Sequence, residues 1–204
     1  MRLKKTLARA LALGALFTAS AAPAAEFLGT LNMNLATGGD ELITFVFTDG
    51  SETTIKGGSG VQFDIGNIVA FESNPFELHT SIGYKTHRTS ASNGSASFSR
   101  WPIEVLGFYR NGHHRLGGGV AYHMNTKFNC DITGLCSGSL GVDDAVGFVG
   151  EWFYVFSGAE NATMQTGVGL RYTKMEYGSS GGGSALDGSN IALTLRLLGP
   201  WLAK

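Results

Sequence analysis

The sequence predicts an all-β fold, a closed eight-stranded antiparallel up-and-down β-barrel, with ten strands as the alternative count. Three observations carry this. Apolar and polar side chains alternate with a period of two over most of the chain, and a strand sends successive side chains to opposite faces. The connections alternate between short and long from the third strand onward. Only 15% of the 204 residues are charged and 30 are glycine, where an ordinary soluble domain carries roughly 25% charged residues.

The alternation is clearest in Ser97–Met124, SFSRWPIEVLGFYRNGHHRLGGGVAYHM. Its first half sets Trp101, Ile103, Val105 and Tyr109 on one face, with Glu104 and Arg110 on the other. Its second half sets Leu116, Val120, Tyr122 and Met124 against Arg115, Gly117, Gly119, Ala121 and His123. The Asn-Gly break between them, Asn111–His114, is hairpin punctuation.

In chain order, Arg2, Lys4, Lys5 and Arg9 precede the uncharged apolar run Ala10–Ala22 and the small residues of Ala22-Pro23-Ala24. That is the plan of a secretory signal peptide over 1–24, cleaved near Ala24/Ala25. The run is shorter than the roughly 20 apolar residues a spanning helix needs. What remains, about 180 residues, suits one domain. Residues 25–40 alternate weakly through Leu31, Met33 and Leu35 and read as a lead-in. The β-branched and aromatic LITFVF reads as the first strand, ended by an Asp-Gly turn. The eight strands fall at roughly 41–47, 53–72, 77–90, 97–111, 115–128, 145–157, 164–178 and 189–199. Pairing of 27–35 would raise the count to ten. SNPF (73–76), Asn111–His114 and Ser157–Thr163 are the short links; Ala91–Ala96, Asn129–Asp144 and Ser179–Ser189 are the longer, polar ones.

Which face is wet follows from composition. With the apolar face inward, as in a soluble periplasmic barrel holding a hydrophobic ligand, the outer surface would be glycine, alanine and a few charges, too little Lys and Glu for a solvated surface. With the apolar face in lipid, glycine crowds a narrow interior and the few charges must pair there. Glu104 and Glu151 against Arg110, Arg171 and Arg196 supply such a lumen network. Tyr84, Trp101, Tyr109, Tyr122, Trp152 and Tyr172 sit near strand ends, where membrane-interface aromatics belong. Closure leaves no unpaired edge in lipid. The expected fold is therefore a transmembrane β-barrel.

On WPIEVLGFYR, GFVGEWFYVF and TGVGLRYTKM, with the leader and the loop pattern, the chain resembles the small outer-membrane β-barrels of Gram-negative bacteria, of the OmpA, OmpX and OmpW type. The resemblance is architectural and covers most of the chain after the leader. It implies export through the Sec pathway, a cell outer membrane location, a periplasmic lead-in at 25–40 and an outer-membrane barrel domain at 41–204. It implies contact with lipid, lipopolysaccharide and the barrel assembly machinery, in a porin-like or structural and surface role. Such barrels often end on an aromatic residue, whereas this chain ends LRLLGPWLAK, with Trp201 near the terminus.

The group also includes lipid A-modifying enzymes, whose chemistry needs a His, a Ser and an acid within hydrogen-bond reach. His79 and Ser81 share an inward face and Asp64 lies on the preceding strand, a weak candidate set for a deacylase or acyltransferase. A polar interior uses the same residue types for hydrogen bonds, and the expectation is no enzyme and no cofactor. His113 and His114 read as a solvated turn, since adjacent histidines point apart. Cys130 and Cys136, six apart in an exported chain, read as a loop disulfide, and no metal site is expected. The glycine runs at 57–60 and 181–183 lack the Gly-Lys-Ser/Thr ending of a phosphate loop. A net charge of −1 suggests no nucleic-acid partner. The expected state is a monomer, with the lumen charges acting either as a static plug or as a gate for a narrow solute or ion path.

Overall fold

The computed structural model describes residues 25–46, 50, 52–71, 74–91, 94–134, 136–156, 164–178 and 185–200. Among them there is no helix. The strands are β1 (Ala25–Thr37), β2 (Glu41–Val46), β3 (Glu52–Lys56), β4 (Gly60–Phe71), β5 (Phe76–Ala91), β6 (Gly94–Asn111), β7 (His114–Ile132), β8 (Cys136–Gly141), β9 (Ala145–Val155), β10 (Gln165–Lys174), β11 (Glu176–Tyr177), β12 (Leu186–Asp187) and β13 (Asn190–Gly199). Eight of them close a ring in the order β1, β4, β5, β6, β7, β9, β10, β13 and back to β1, every pair antiparallel. The fold is thus a closed eight-stranded antiparallel barrel.

The count agrees with the sequence reading, but the membership does not. Residues 25–40 are no lead-in: β1 lies between β13 and β4, from Gly29↔Gly199 to Thr37↔Ile191 on one side and from Ala25↔Phe71 to Ala36↔Gly60 on the other. The strand expected at 41–47 is instead β2, which pairs only with β3 in a separate hairpin at the loop end. Its six residues fall short of the roughly 9–11 that a tilted spanning strand needs. The strand expected over 53–72 breaks at Gly57–Ser59 into β3 and β4, and 164–178 breaks at Met175 into β10 and β11.

Two expected loops are sheet. β5 and β6 stay paired to Ala91↔Gly94, so Ala91–Ala96 is not an open polar loop. In place of the loop Asn129–Asp144, β7 runs to Ile132 and pairs with β8, and the Cys130–Cys136 disulfide joins the two strands. The signal peptide at 1–24, the link Ser157–Thr163, residues 179–184 of the loop Ser179–Ser189 with the glycine run at 181–183, and Trp201 lie outside the described residues; the described end of that loop holds β12.

The start of β1, the end of β13 and the links around Asn74–Pro75 and Gly112–His113 share one end, the turn end. The β2–β3 hairpin, β8 and the β11–β12 pair occupy the other, the loop end. There, β5, β6 and β7 reach 16, 18 and 19 residues against 10 in β13. A one-residue bulge interrupts β7, between Ser99↔Lys127 and Trp101↔Met124, with Asn125 at φ 52°. It shifts the alternation by one, so His123 points inward before the bulge and Thr126, Cys130 and Ile132 point inward after it.

The outside is apolar. Exposed side chains run round all eight strands: Phe27, Leu31 and Leu35 on β1; Phe63 and Ile65 on β4; Phe76, Leu78 and Ile82 on β5; Trp101, Val105 and Tyr109 on β6; Leu116 and Val120 on β7; Val146, Phe148 and Trp152 on β9; Leu170 and Tyr172 on β10; Ile191, Leu193, Leu195 and Leu197 on β13. Phe148 alone is 70% exposed. From Phe76 to Tyr84 the outward face of β5 covers about 26 Å of strand at ~3.3 Å per residue; beyond it come Thr86, Arg88 and Ser90. The alternative with an apolar face lining the barrel is therefore inverted here. The inside holds buried polar side chains such as Asn32, Gln62, Asp64 and Glu104, with Leu106, Phe108 and Phe153 beside them. Close quarters there select glycine: a Cβ on Gly83 would lie 1.9 Å from Asp64 Oδ1.

A lid covers the loop end. Asp40 N donates to Asp187 O (2.8 Å), Gly57 N to Asp40 O (2.8 Å), Gly58 N to Gly38 O (3.1 Å) and Asp187 N to Asp40 Oδ2 (2.9 Å). Three backbone segments meet so closely that a Cβ on Gly58 would lie 2.3 Å from Ser189 O. This is the role of the glycine run at 57–60. Phe45 and Ile55 of the β2–β3 hairpin are buried in the same apolar cluster as Phe98, Ile132 and Tyr177.

Candidate functional site

The site is the lumen, and the inward half of each alternation builds it. β9 and β10 set Glu151 directly opposite Arg171. Arg171 Nη1 donates to Glu151 Oε2 (3.5 Å) and Nη2 to Glu104 Oε1 on β6 (2.5 Å). Glu151 Oε1 accepts from Arg196 Nη2 on β13 at 2.6 Å. Arg196 Nη1 donates to His79 Nδ1 (2.9 Å), which leaves Nε2–H of His79 to donate to Glu77 Oε2 (3.0 Å). Glu77 Oε1 in turn accepts from Arg115 Nε at 2.9 Å.

The chain also runs the other way from Glu104. Gln62 Nε2 reaches Glu104 Oε1 (3.0 Å) and Asp64 Oδ1 (2.9 Å), Asn34 Nδ2 donates to Asp64 Oδ2 (2.8 Å), and Thr194 Oγ1 donates to Asn34 Oδ1 (2.8 Å). From Thr194 to Arg115 the contacts are unbroken, and every one of the eight barrel strands contributes a member. Arg196 also lies over the ring faces of Phe153 (4.4 Å) and Phe108 (5.4 Å), which fill the lumen beside it.

Of the five charges singled out from sequence, Glu104, Glu151, Arg171 and Arg196 come together. Arg110 stands apart from these four: it is partly exposed at the turn end, where its Nη1 forms an ion pair with Glu77 Oε1 (3.7 Å), the chain's member at that end. Strand parity fixes the side of the wall a residue faces but not its height. The sequence reading missed Glu77, Gln62, Asn34 and Arg115. Glu77 was within reach, because it stands two residues before His79 on the same face.

His79, Ser81 and Asp64 are not assembled as a triad. Both ring nitrogens of His79 are engaged by Arg196 and Glu77, and Asp64 is held by Asn34 and Gln62. Ser81 is half-buried and lies opposite Glu104 and Gly66 in the sheet. At the turn end, His113 Nδ1–H donates to Val155 O (3.0 Å), and the His114 ring stacks on Trp152 with centroids 5.9 Å apart. Tyr84 and Trp101 pack together on the outside, 5.2 Å between centroids. Tyr109, Trp152 and Tyr172 are exposed there as well, while Tyr122 is half-buried and donates to Asp144 Oδ2 at 2.7 Å.

A closed barrel with an apolar exterior and a bonded polar lumen defines the class. No family model matches the chain, and no curated protein matches it. Three solved structures are similar in fold. Neisserial surface protein A is 9% identical, with 87% of this chain and 99% of that one covered and a TM-score of 0.49. Ail, the attachment invasion locus protein of Yersinia pestis, solved in complex with the heparin analogue sucrose octasulfate, is 13% identical, with 85% and 97% covered and a TM-score of 0.48. The outer membrane protein AlkL, solved in DMPC lipid bilayers, is 14% identical, with 92% and 96% covered and a TM-score of 0.45. None of these likenesses gives a role to a residue of this chain.

Proposed function

We propose that this chain is an outer-membrane β-barrel with a structural and surface role, its lumen plugged at rest. One observation carries the reading: apolar side chains clothe all eight strands from outside while Glu104, Glu151, Arg171 and Arg196 face inward and bond to each other. In water that distribution would expose an apolar surface far beyond what a soluble protein tolerates; in lipid it satisfies both faces. The Tyr84–Trp101 pair at one end of the band and the Phe76–Tyr109 pair (5.6 Å) at the other suit headgroup level. The asymmetry of the ends supports the turn end facing the periplasm and the lidded end facing outward.

The expected partners are lipid, lipopolysaccharide and the assembly machinery, and a ring without free edges supports a monomer. Sec export fits the leader. We assign no catalytic role to His79, Ser81 and Asp64, since the first and last are committed to the lumen chain. Lipid A of unchanged structure in a deletion strain is the expected result.

Fractionation followed by gel migration with and without boiling tests the location. Outer-membrane recovery with a heat-dependent shift is expected; a soluble periplasmic protein with no shift overturns the reading. Planar-bilayer recordings of wild type, Glu104→Gln and Arg196→Gln test the plug. A quiet wild type and quiet variants are expected, whereas stepwise conductance that changes with either substitution makes the network a gate.

A further inference from the structure

We propose that the lumen beneath the lid binds a small oxyanion, of the phosphate, sulfate or carboxylate kind, on Arg100, Thr126 and Lys85. Arg100 is wholly buried. Its Nη2 makes only a long contact to Ser59 O (3.5 Å), its guanidinium carbon lies 4.7 Å from the Phe98 ring centre, and its Nε and Nη1 have no partner. Lys85, also buried, stands directly across from it in the β5–β6 register. On the other side the β7 bulge turns Thr126 inward, and its buried Oγ1 has no partner either. His87, two residues past Lys85 on the same strand, presents an unpartnered Nδ1.

The contrast with the rest of the lumen decides what belongs there. Arg171, Arg196 and Arg115 each touch a carboxylate. Among the described residues none lies within ion-pair distance of Arg100 or Lys85, and the neighbouring Asp64 and Glu104 already serve Asn34, Gln62 and Arg171. Water could bond to the spare N–H groups but would bring no negative charge to two adjacent buried basic side chains, which Asp64 and Glu104 attract only from beyond ion-pair distance. An oxyanion accepts from the guanidinium fork, the ammonium and the hydroxyl at once. It would also tie lid to wall, because Ser59 belongs to the lid and Tyr177, edge-on to Phe98, packs under Gly188.

The test refolds the full chain from urea into detergent with either 10 mM inorganic phosphate or chloride at about equal ionic strength. The unfolding equilibrium is then measured. A site with a Kd of roughly 0.1–1 mM raises the folding constant about 10- to 100-fold in phosphate. Thr126→Val, which removes only a hydroxyl, should cut the site's affinity about tenfold, and Arg100→Lys, which keeps the charge but loses the fork, should remove the effect. Arg88→Gln, on the exposed face, should leave it unchanged. Acetate and sulfate in place of phosphate sort the anion class. No phosphate effect on wild type, or an equal effect on wild type and both lumen variants, overturns the proposal.

Discussion

Glu151→Gln is the sharpest probe of the lumen. The Glu151 side chain has no exposed surface and serves two arginines, Arg196 at 2.6 Å and Arg171 at 3.5 Å. Glutamine keeps the volume but withdraws the charge and points an amide N–H at one guanidinium group. Arg196 is then left with His79 Nδ1 and two ring faces, none of them anionic. Removing one partner of a buried pair costs about 3–5 kcal/mol. Glu104→Gln should cost less, about 1–3 kcal/mol, because Arg171 keeps Glu151 directly opposite. Urea unfolding of the refolded barrel, followed by tryptophan fluorescence and by the unboiled gel band, measures both. The Glu151→Gln, Arg196→Met double variant should fall short of the sum of its singles by about 0.5–3 kcal/mol. A Glu151→Gln cost under about 1 kcal/mol, or a strictly additive double variant, would refute the network as a cooperative plug.

Leu193→Arg, on the outward face midway along β13, should destabilise the lipid-inserted barrel by about 2–4 kcal/mol, against about 0–1 kcal/mol for Ser90→Arg beyond the apolar band; equal costs would misplace the band. Gly83→Val sets a branched side chain where even a Cβ meets Asp64 Oδ1 at 1.9 Å. A loss of about 1–3 kcal/mol, seen as a weakened unboiled band, is expected. At the lid, hydrogen bonds from Ser189 Oγ and N hold the Asp187 carboxyl below its ordinary 3.8. Its stabilising contribution is present above that value and lost as pH falls through the depressed one. Pepsin nicking of the loop end should therefore begin at higher pH in Ser189→Ala than in wild type; identical onsets would remove Asp187 as a lid anchor.

Most of the barrel could be read from parity, because a lipid-facing wall makes alternation visible residue by residue. Alternation places β9 to within two residues, and the turn-end limits of β6 and β7 to within one, for that reason. The failures have physical causes. LITFV has stronger β-propensity than β1, but its apolar side chains serve a lid and leave it too short to span, whereas Leu31, Met33 and Leu35 alternating with Asn32 and Asn34 carry the wall pattern in weaker colours. The extent of β5, β6 and β7 beyond the apolar band was hidden because a strand wet on its outer face reads as a polar loop. The Asn125 bulge hides the inward position of Thr126, since simple alternation from His123 would aim Asn125 inward instead. Parity alone groups Arg110 with Glu104, because height around a tilted ring depends on register, which no single strand reveals.

The Arg171–Glu151 opposition has a further consequence for how the barrel chooses its own alignment. Sliding β10 past β9 by two residues keeps every outward side chain in lipid, and a fluid solvent of hydrocarbon cannot tell the two arrangements apart. Inside, that slide would bring Arg171 opposite Phe153 or Val149 instead of Glu151. The same holds at the joint where the chain's ends meet, with Asn34 against Thr194. The exterior thus says only that a strand belongs in the wall, and the interior says where along it. Outward positions should accept one apolar residue for another singly, while lumen positions can change only in matched pairs.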